Sequence, residues 1–412
     1  MQSNPGHLIR RANRGQILAL LAERAQFRSE LCRATGLTGA AVSRITRELI
    51  DAGLVQESVA PPLKKAAGRR SSMLSIAPGG AYVLAFTLSA NRMEVALYNA
   101  RQQQIGLREI TVQPHEPADT VLHRLTAAAR ELIQDSTVPS HRLLGAGVSI
   151  AVGNADAIST EGCISSDVLG WQNVPVAAVI EKALLIPVTV QPRAISLLRA
   201  EMSSGDYATS SRLGLINIGV GMGAAVFSKD VKSHYNGGLV GLAHIRHSLA
   251  ERRCHCGRLG CLEMCATGVA VVAELYGNSI VKNAAYVDLA LWLVKAQTRA
   301  NQGDRQASDA YFRAGEHMAT GIDTLQALMS PDQLLLAGTT GRQPDYVAGV
   351  RHGLQKLGSP LPVNQIGISE TTSSDAAACS ALAAFLYSAG LQVLDAQRES
   401  KPLQTGNQEL AS

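Results

Sequence analysis

A chain of 412 residues, 46% of them hydrophobic, exceeds one ordinary core, so two or three domains are expected. No apolar run reaches the roughly 18 residues of a spanning helix, which excludes a helical membrane span. Residues 1–72 hold twelve Lys/Arg against five Asp/Glu, or +7, which leaves −2 for the remainder of a chain whose net charge is +5. A basic leading segment on a nearly neutral body points to nucleic acid as a partner. The first residues carry Arg10, Arg11, Arg14, Arg24 and Arg28 without an apolar stretch. No signal peptide is expected, and a reducing cytoplasm is the expected location.

Ile17, Leu18, Leu20 and Leu21 form an apolar stripe that predicts a helix over 13–25, with Asn13 as its cap. A short second helix is expected over 29–35, capped by Ser29. Gly36 then suits the left-handed turn position, and Thr38 the next cap. Val42, Ile45 and Leu49 define the buried stripe of a third helix over 39–52. Thr38, Ala40, Ser43, Arg44 and Arg47 lie at its start or off the stripe. This is a helix–turn–helix pattern, whose second helix enters the major groove with its leading half. Arg44 is suited to a guanine edge, and Arg47 or Thr38 to phosphates. Strands are expected at 54–57 and 73–76, joined by the basic loop Pro61–Arg70. That reads as a β-wing whose Arg69 and Arg70 reach a minor groove. The alternative is a protein-binding helical hairpin with a charged solvated face.

From residue 78 the texture becomes α/β. Strands are expected at 82–88 and 93–98, a helix at 118–134, a strand at 144–150 and a helix at 174–184. A strand at 188–190 leads into a helix at 194–202. Strands at 213–218 and 224–227 flank Gly219-Val220-Gly221-Met222-Gly223. That glycine run is read as a tight hairpin rather than a phosphate cradle. A long helix over 308–329, a strand at 333–337 and a final helix at 375–391 follow, then a polar tail over 395–412. The expected division is 1–77, 78–195 completed by the final helix, and 196–374.

Cys254, Cys256 and Cys261 fall within eight residues, and His244 stands ten positions upstream. Three thiolates and an imidazole complete a tetrahedral shell for a structural Zn2+. Zinc is preferred to a disulfide in a reducing compartment. His255 is the rival fourth ligand, but it lies between two ligand cysteines and would tend to point away.

Together these residues resemble the ROK family of repressors and sugar kinases, over about residues 10–390. The likeness is strongest to its repressors of glucose and N-acetylglucosamine genes. It implies an actin-like two-lobed body behind a winged helix, with a ligand cleft between the lobes. Active family kinases carry Asp-x-Gly-Gly-Thr in the first hairpin; the matching positions here are Thr87, Ser89, Ala90 and Asn91. They carry Asn-Asp where this chain has Pro192 and Arg193, and an arginine cannot serve as the base for a sugar hydroxyl. The resemblance therefore implies a regulator, not an enzyme. The family's Glu-x-Gly-His reads Gly241-Leu242-Ala243-His244 here, so one sugar-binding acid is gone. Glu263 matches the second; a helix N-terminal acid is an equal reading. His244, Glu263 and Arg193 are the expected effector contacts, with an anionic sugar favoured by Arg193. Expected partners are operator duplex, a sugar-like effector and further copies in a homodimer or homotetramer, with the segment 77–82 relaying between body and DNA.

Overall fold

The computed structural model describes residues 5–59, 72–90, 92–113, 116–152, 157–203, 207, 210–229, 237–247 and 252–388. The leading elements are α1 (Pro5–Glu23), β1 (Gln26–Phe27), α2 (Arg28–Thr35), α3 (Gly39–Asp51), β2 (Val55–Val59) and β3 (Ser72–Ile76). Next come β4 (Tyr82–Leu88), β5 (Arg92–Asn99), β6 (Gln104–Thr111), α4 (Ala118–Ser136), β7 (Leu143–Ile150), β8 (Ile164–Ser166), β9 (Trp171–Val174), α5 (Val176–Leu184), β10 (Val188–Pro192) and α6 (Arg193–Ser203). The remainder comprises β11 (Arg212–Ile218), β12 (Met222–Ser228), β13 (Gly237–Val240), α7 (Glu263–Ala266), α8 (Gly268–Tyr276), α9 (Asn278–Asn283), α10 (Tyr286–Asn301) and α11 (Arg305–Met329). It closes with β14 (Gln333–Ala337), α12 (Gly338–Gly341), α13 (Pro344–Leu357), β15 (Ile366–Ile368) and α14 (Ser373–Phe385).

Two five-stranded sheets repeat one topology. The orders are β6-β5-β4-β7-β10 and β13-β12-β11-β14-β15. In each, three antiparallel strands are followed by two parallel ones. The parallel joins need helical crossovers, and these supply the helices that cover the sheet faces. Val121, Leu125, Val176 and Ile180 of α4 and α5 bury one face of the first sheet. Helices α8, α10, α11 and α13 bury one face of the second. Helix α6 lies on the other face, where Leu197 and Leu198 meet Leu213, Leu215 and Leu335.

The leading three helices and the small sheet β1-β3-β2 do not hang from a free linker. Their buried Ile17, Leu18, Leu31, Val42, Ile45, Leu49, Leu74 and Ile76 share one apolar cluster with Val83, Ala85, Ala96 and Tyr98 of the first sheet. Ala377, Ala381 and Leu382 of α14 complete it. The expected relay segment is a clasped turn. A Cβ on Gly80 would stand 2.5 Å from the Gly53 carbonyl oxygen, so only glycine allows this approach. Arg142 Nη1 donates to the Gly80 carbonyl at 2.8 Å, and Arg101 Nε to that of Ile76 at 2.8 Å.

Several boundaries differ from the sequence reading. Helix α1 begins at Pro5, so Asn13 lies inside it and caps nothing. Proline fits a first helical turn, and Arg10 in the added turns and Arg14 just beyond them are both held by Glu48. Helix α2 starts at Arg28, with Phe27 rather than Ser29 in the cap position. There the Glu30 carboxylate accepts the Phe27 N–H at 2.8 Å. Strand β6 was not expected, because the alternation of Ile105 and Leu107 loses its phase at Arg108-Glu109-Ile110. Helix α14 ends at Phe385 instead of running on, and Leu386 and Tyr387 both fold back onto the Leu382 carbonyl. Arg69, Arg70 and the tail over 395–412 lie outside the described residues.

Candidate functional site

Helix α3 carries the first candidate surface. Gly36 turns the chain with φ 71° after α2, and Thr38 Oγ1 accepts the Ala41 N–H at 3.3 Å to start α3. With Val42, Ile45 and Leu49 fully buried, the opposite face presents Thr38, Ala40, Ser43, Arg44 and Arg47 to solvent. Neighbouring arginines are committed elsewhere. Arg10 and Arg14 both pair with Glu48, fastening α1 to α3. Burial opposes the Glu48 anion, but Arg10 and Arg14 outweigh it and hold the carboxyl below its ordinary value. Arg28 pairs with Glu57 and donates to Thr46 Oγ1 at 3.1 Å and Ser72 Oγ at 3.2 Å, tying the small sheet to α3. Arg44 and Arg47 have no such partner among the described residues.

The second candidate is the Cys/His cluster. The donor atoms of His244, Cys254, Cys256 and Cys261 all lie within 4.8 Å of one another. Cys254 Sγ is 3.7 Å from His244 Nδ1, and Cys256 Sγ is 3.5 Å from Cys261 Sγ. A tetrahedral zinc shell has donor separations of about 3.4–3.8 Å, so the donors fit that ion, whereas bonded sulfurs stand about 2.0 Å apart. Gly257 and Gly260, at φ 85° and 80°, make the backbone reversals that gather the thiols. Burial opposes the Cys256 thiolate, yet the Arg258 amide and guanidinium outweigh it and draw the thiol down to about 7. Burial pushes Cys254 and Cys261 up instead. Two thiols that resist ionisation beside one that favours it form a set that a bound cation would deprotonate together. His255 is not in the cluster; its ring stacks on Tyr286 with centroids 4.3 Å apart.

The cluster borders a cleft of about 1210 Å³ between the two sheets. All three expected effector residues, His244, Glu263 and Arg193, line it. Glu263 opens α7, is 5% exposed, and its Oε2 accepts from Cys254 Sγ at 3.5 Å. A Cβ on Gly221 would meet Glu263 Oε1 at 2.5 Å, so the glycine hairpin makes room for this carboxylate. Burial, then the Glu263 charge, pushes the Tyr286 phenol far up and keeps it protonated. Sequence reasoning missed Tyr286 and Arg258 as lining residues; Tyr286 is distant in the chain and carries no motif.

Arg193 is more constrained than its residue type suggested. Its Nη2 donates to the Leu88 carbonyl at 2.6 Å and to Ser89 Oγ at 3.0 Å. Burial draws its pKa down to about 10, against the support of nearby Glu94. The guanidinium thus braces the first hairpin turn, while its Nε has no partner among the described residues. Thr87 Oγ1 and Arg342 Nε, from two other cleft-lining residues, are buried and unpartnered in the same sense.

The ROK family profile matches residues 84–387, and the chain belongs to that family. The xylose repressor of Caldicellulosiruptor bescii is 22% identical over 341 residues, spanning 80% of this chain and 83% of the relative. A crystal structure of a ROK family transcriptional regulator, a homolog of the Escherichia coli MLC protein, matches with TM-score 0.69 and 22% identity. It covers 93% of this chain and 98% of that one. A ROK family glucokinase from Streptomyces griseus matches with TM-score 0.59 and 17% identity, covering 73% of this chain and 98% of that one. The body therefore has the mixed α/β, actin-like ROK fold. Among the described residues no helix is long and apolar enough to cross a membrane.

Proposed function

We propose that this chain is a DNA-binding transcriptional regulator, a repressor of carbohydrate-related genes, and not an enzyme. The observation that carries this reading is α3, which exposes Thr38, Ala40, Ser43, Arg44 and Arg47 on one face while Arg10, Arg14 and Arg28 of the neighbouring helices are tied down. Residues 1–77 act as a winged helix-turn-helix: α2 and α3 form the helical pair, and β2 and β3 the wing that carries Arg69 and Arg70. Residues 78–195 with α14 form the first lobe, and 196–374 the second. The regulator and glucokinase comparisons support the N-terminal assignment, because the former extends over more of the chain while the family profile leaves out residues 1–83. A homodimer or homotetramer would place two α3 helices on half-sites a whole number of helical turns apart.

His244, Cys254, Cys256 and Cys261 would hold a structural Zn2+. Bound there, the ion supplies cross-linking, not chemistry on a substrate. The chain's own contribution is to carry Glu263 and Arg258 to the cleft on a loop whose ends are fixed. The orphan donors of Thr87, Arg193 and Arg342 support an anionic, sugar-like effector in that cleft. An effector acts only through different affinities for two lobe arrangements. The packed α14 and the turn at 78–80 would pass such a change to α3. A kinase reading fits this cleft poorly, because Arg193 and Ser89 are bonded to each other across the turn where a phosphate would approach.

The test is a mobility shift with the DNA upstream of the chain's own gene, using the full chain and the R44A/R47A double variant. The full chain is expected to retard the fragment and the variant to fail. A chain that ignored every duplex at low salt, yet consumed ATP in the presence of a sugar, would overturn the proposal. Calorimetry with glucose and a hexose phosphate tests the effector. Tight binding of unmodified glucose, unchanged by R193A, refutes the anionic reading.

A further inference from the structure

A second group of metal-ligating side chains lies behind the first. The donor atoms of His247, Cys265 and His317 all fall within 4.8 Å of one another. His247 follows the short turn over 242–244 and is 7% exposed; Cys265 sits in α7 and is 6% exposed. His317 comes from the middle of α11, about fifty residues further on, and is half-buried. The two imidazoles meet edge to face, with ring centroids 5.1 Å apart at 81°. His247 is backed onto the outer loop, where its N–H donates to the Gly260 carbonyl at 2.6 Å.

We propose that His247, Cys265 and His317 form a second metal site for a borderline-soft divalent ion of the Zn2+ class, separate from the Cys3His cluster. Two imidazoles and one thiolate are donors that such ions select over Mg2+ or Ca2+. Three protein ligands leave one position for water or an anion. Donor separations in a tetrahedral site are about 3.4–3.8 Å, so closure shortens the separations by at most about 1.4 Å, within reach of side-chain rotation. Cys265 Sγ now donates to the Leu262 carbonyl at 3.3 Å; on binding it gives up that proton to solvent and its sulfur takes the ion. Arg252 stands near with its guanidinium fixed on the Met264 carbonyl and Asn278 Oδ1, both at 2.8 Å. Burial pushes the Cys265 thiol up and the Arg252 charge offsets this only in part, so the ion itself must draw off the proton, while the guanidinium's bonds hold it on those two oxygens.

The site would join three separate pieces of chain. Cys261 belongs to the outer cluster and Cys265 to the inner one, with Glu263 between them facing the cleft. An ion at each cysteine fixes both ends of the short segment that presents Glu263, and His317 anchors it to the longest helix of the lobe. The proposal does not depend on DNA binding.

The experiment is metal analysis of the full chain, stripped with chelator and reloaded at buffered free Zn2+. Two equivalents per chain are expected, falling to one in H317A and in C265S. One equivalent in the wild-type chain, or two in either variant, overturns the proposal. Anomalous scattering at the zinc edge from wild-type crystals decides the question without any variant. A second peak among His247, Cys265 and His317 supports the site; its absence with the outer site filled removes it.

Discussion

Arg44 and Arg47 stand in solvent on α3, without a partner among the described residues, whereas Arg193 is buried in the cleft and commits two hydrogen bonds to the first hairpin. The difference separates guanidiniums that keep their donors in solvent from one that commits Nη2 to the architecture and leaves Nε without a partner among the described residues. Exposed guanidiniums keep their hydration until a phosphate or base edge replaces it. A buried one has lost that hydration, and carbonyl, hydroxyl and carboxylate partners must offset the loss. Substitutions in the first region should therefore change DNA affinity and spare stability; those in the second should do the reverse.

The largest effect is expected at the outer cluster. C256S removes a donor from a set that has no spare ligand. It should cost about 3–5 kcal/mol, roughly 10 °C in Tm for a lobe of this size, and chelation of the wild-type chain should mimic it. A wild-type melt indifferent to chelator would break the reading. R193A comes next. Loss of the bonds to Leu88 and Ser89 should destabilise by about 2–3 kcal/mol, while DNA affinity stays within about 2-fold. Equal losses in both measurements would erase the contrast between the two regions.

R44A should weaken operator binding by about 1–3 kcal/mol, roughly 5- to 150-fold, and relax base preference at one position. Its melting curve should overlay the wild type. R47A should weaken all sequences alike and reduce the salt slope by about one unit. Glu48 sharpens the boundary between the regions. Its folded pKa lies below the ordinary 4.5, so its contribution is present above that value and is lost as the pH falls through the folded pKa. Thermal melts of E48Q between pH 3 and pH 7 should therefore converge on the wild type at the acid end. The smallest effect is expected for G221A. Its Cβ would meet the carboxylate end of Glu263 at 2.5 Å and the Tyr286 ring at 3.2 Å, so stability should fall by about 1 kcal/mol while effector affinity changes. A large loss of stability would mean that the hairpin itself cannot tolerate a side chain.

Local patterns are legible in the order of residues along the chain. Gly36 and Thr38 bracket the turn before α3, and Val42, Ile45 and Leu49 set its buried stripe, because each acts through neighbours a few residues away. The Cys254–Cys261 loop is legible for the same reason, with Gly257 and Gly260 marking its reversals. Asn13 misleads because Glu48, thirty-five residues on, holds two arginines of α1 and lengthens that helix at its start. Helix α8 gives no signal because Val269, Ala270, Val271, Val272 and Ala273 are apolar on every side, which leaves no stripe to read.

The sequence by itself determined the turn chemistry, the Cys254–Cys261 loop and the clustering of basic residues in the leading module, since these depend on spacing along the chain. It could not sort that basic charge into arginines that brace and arginines that face solvent. Nor could it bring His317 beside Cys265, or Arg193 beneath Ser89. Those outcomes belong to the packing of helices and sheets. Whether a charge keeps its water or exchanges it for protein dipoles depends on what lies across from it in space, and that partner can come from anywhere in the chain.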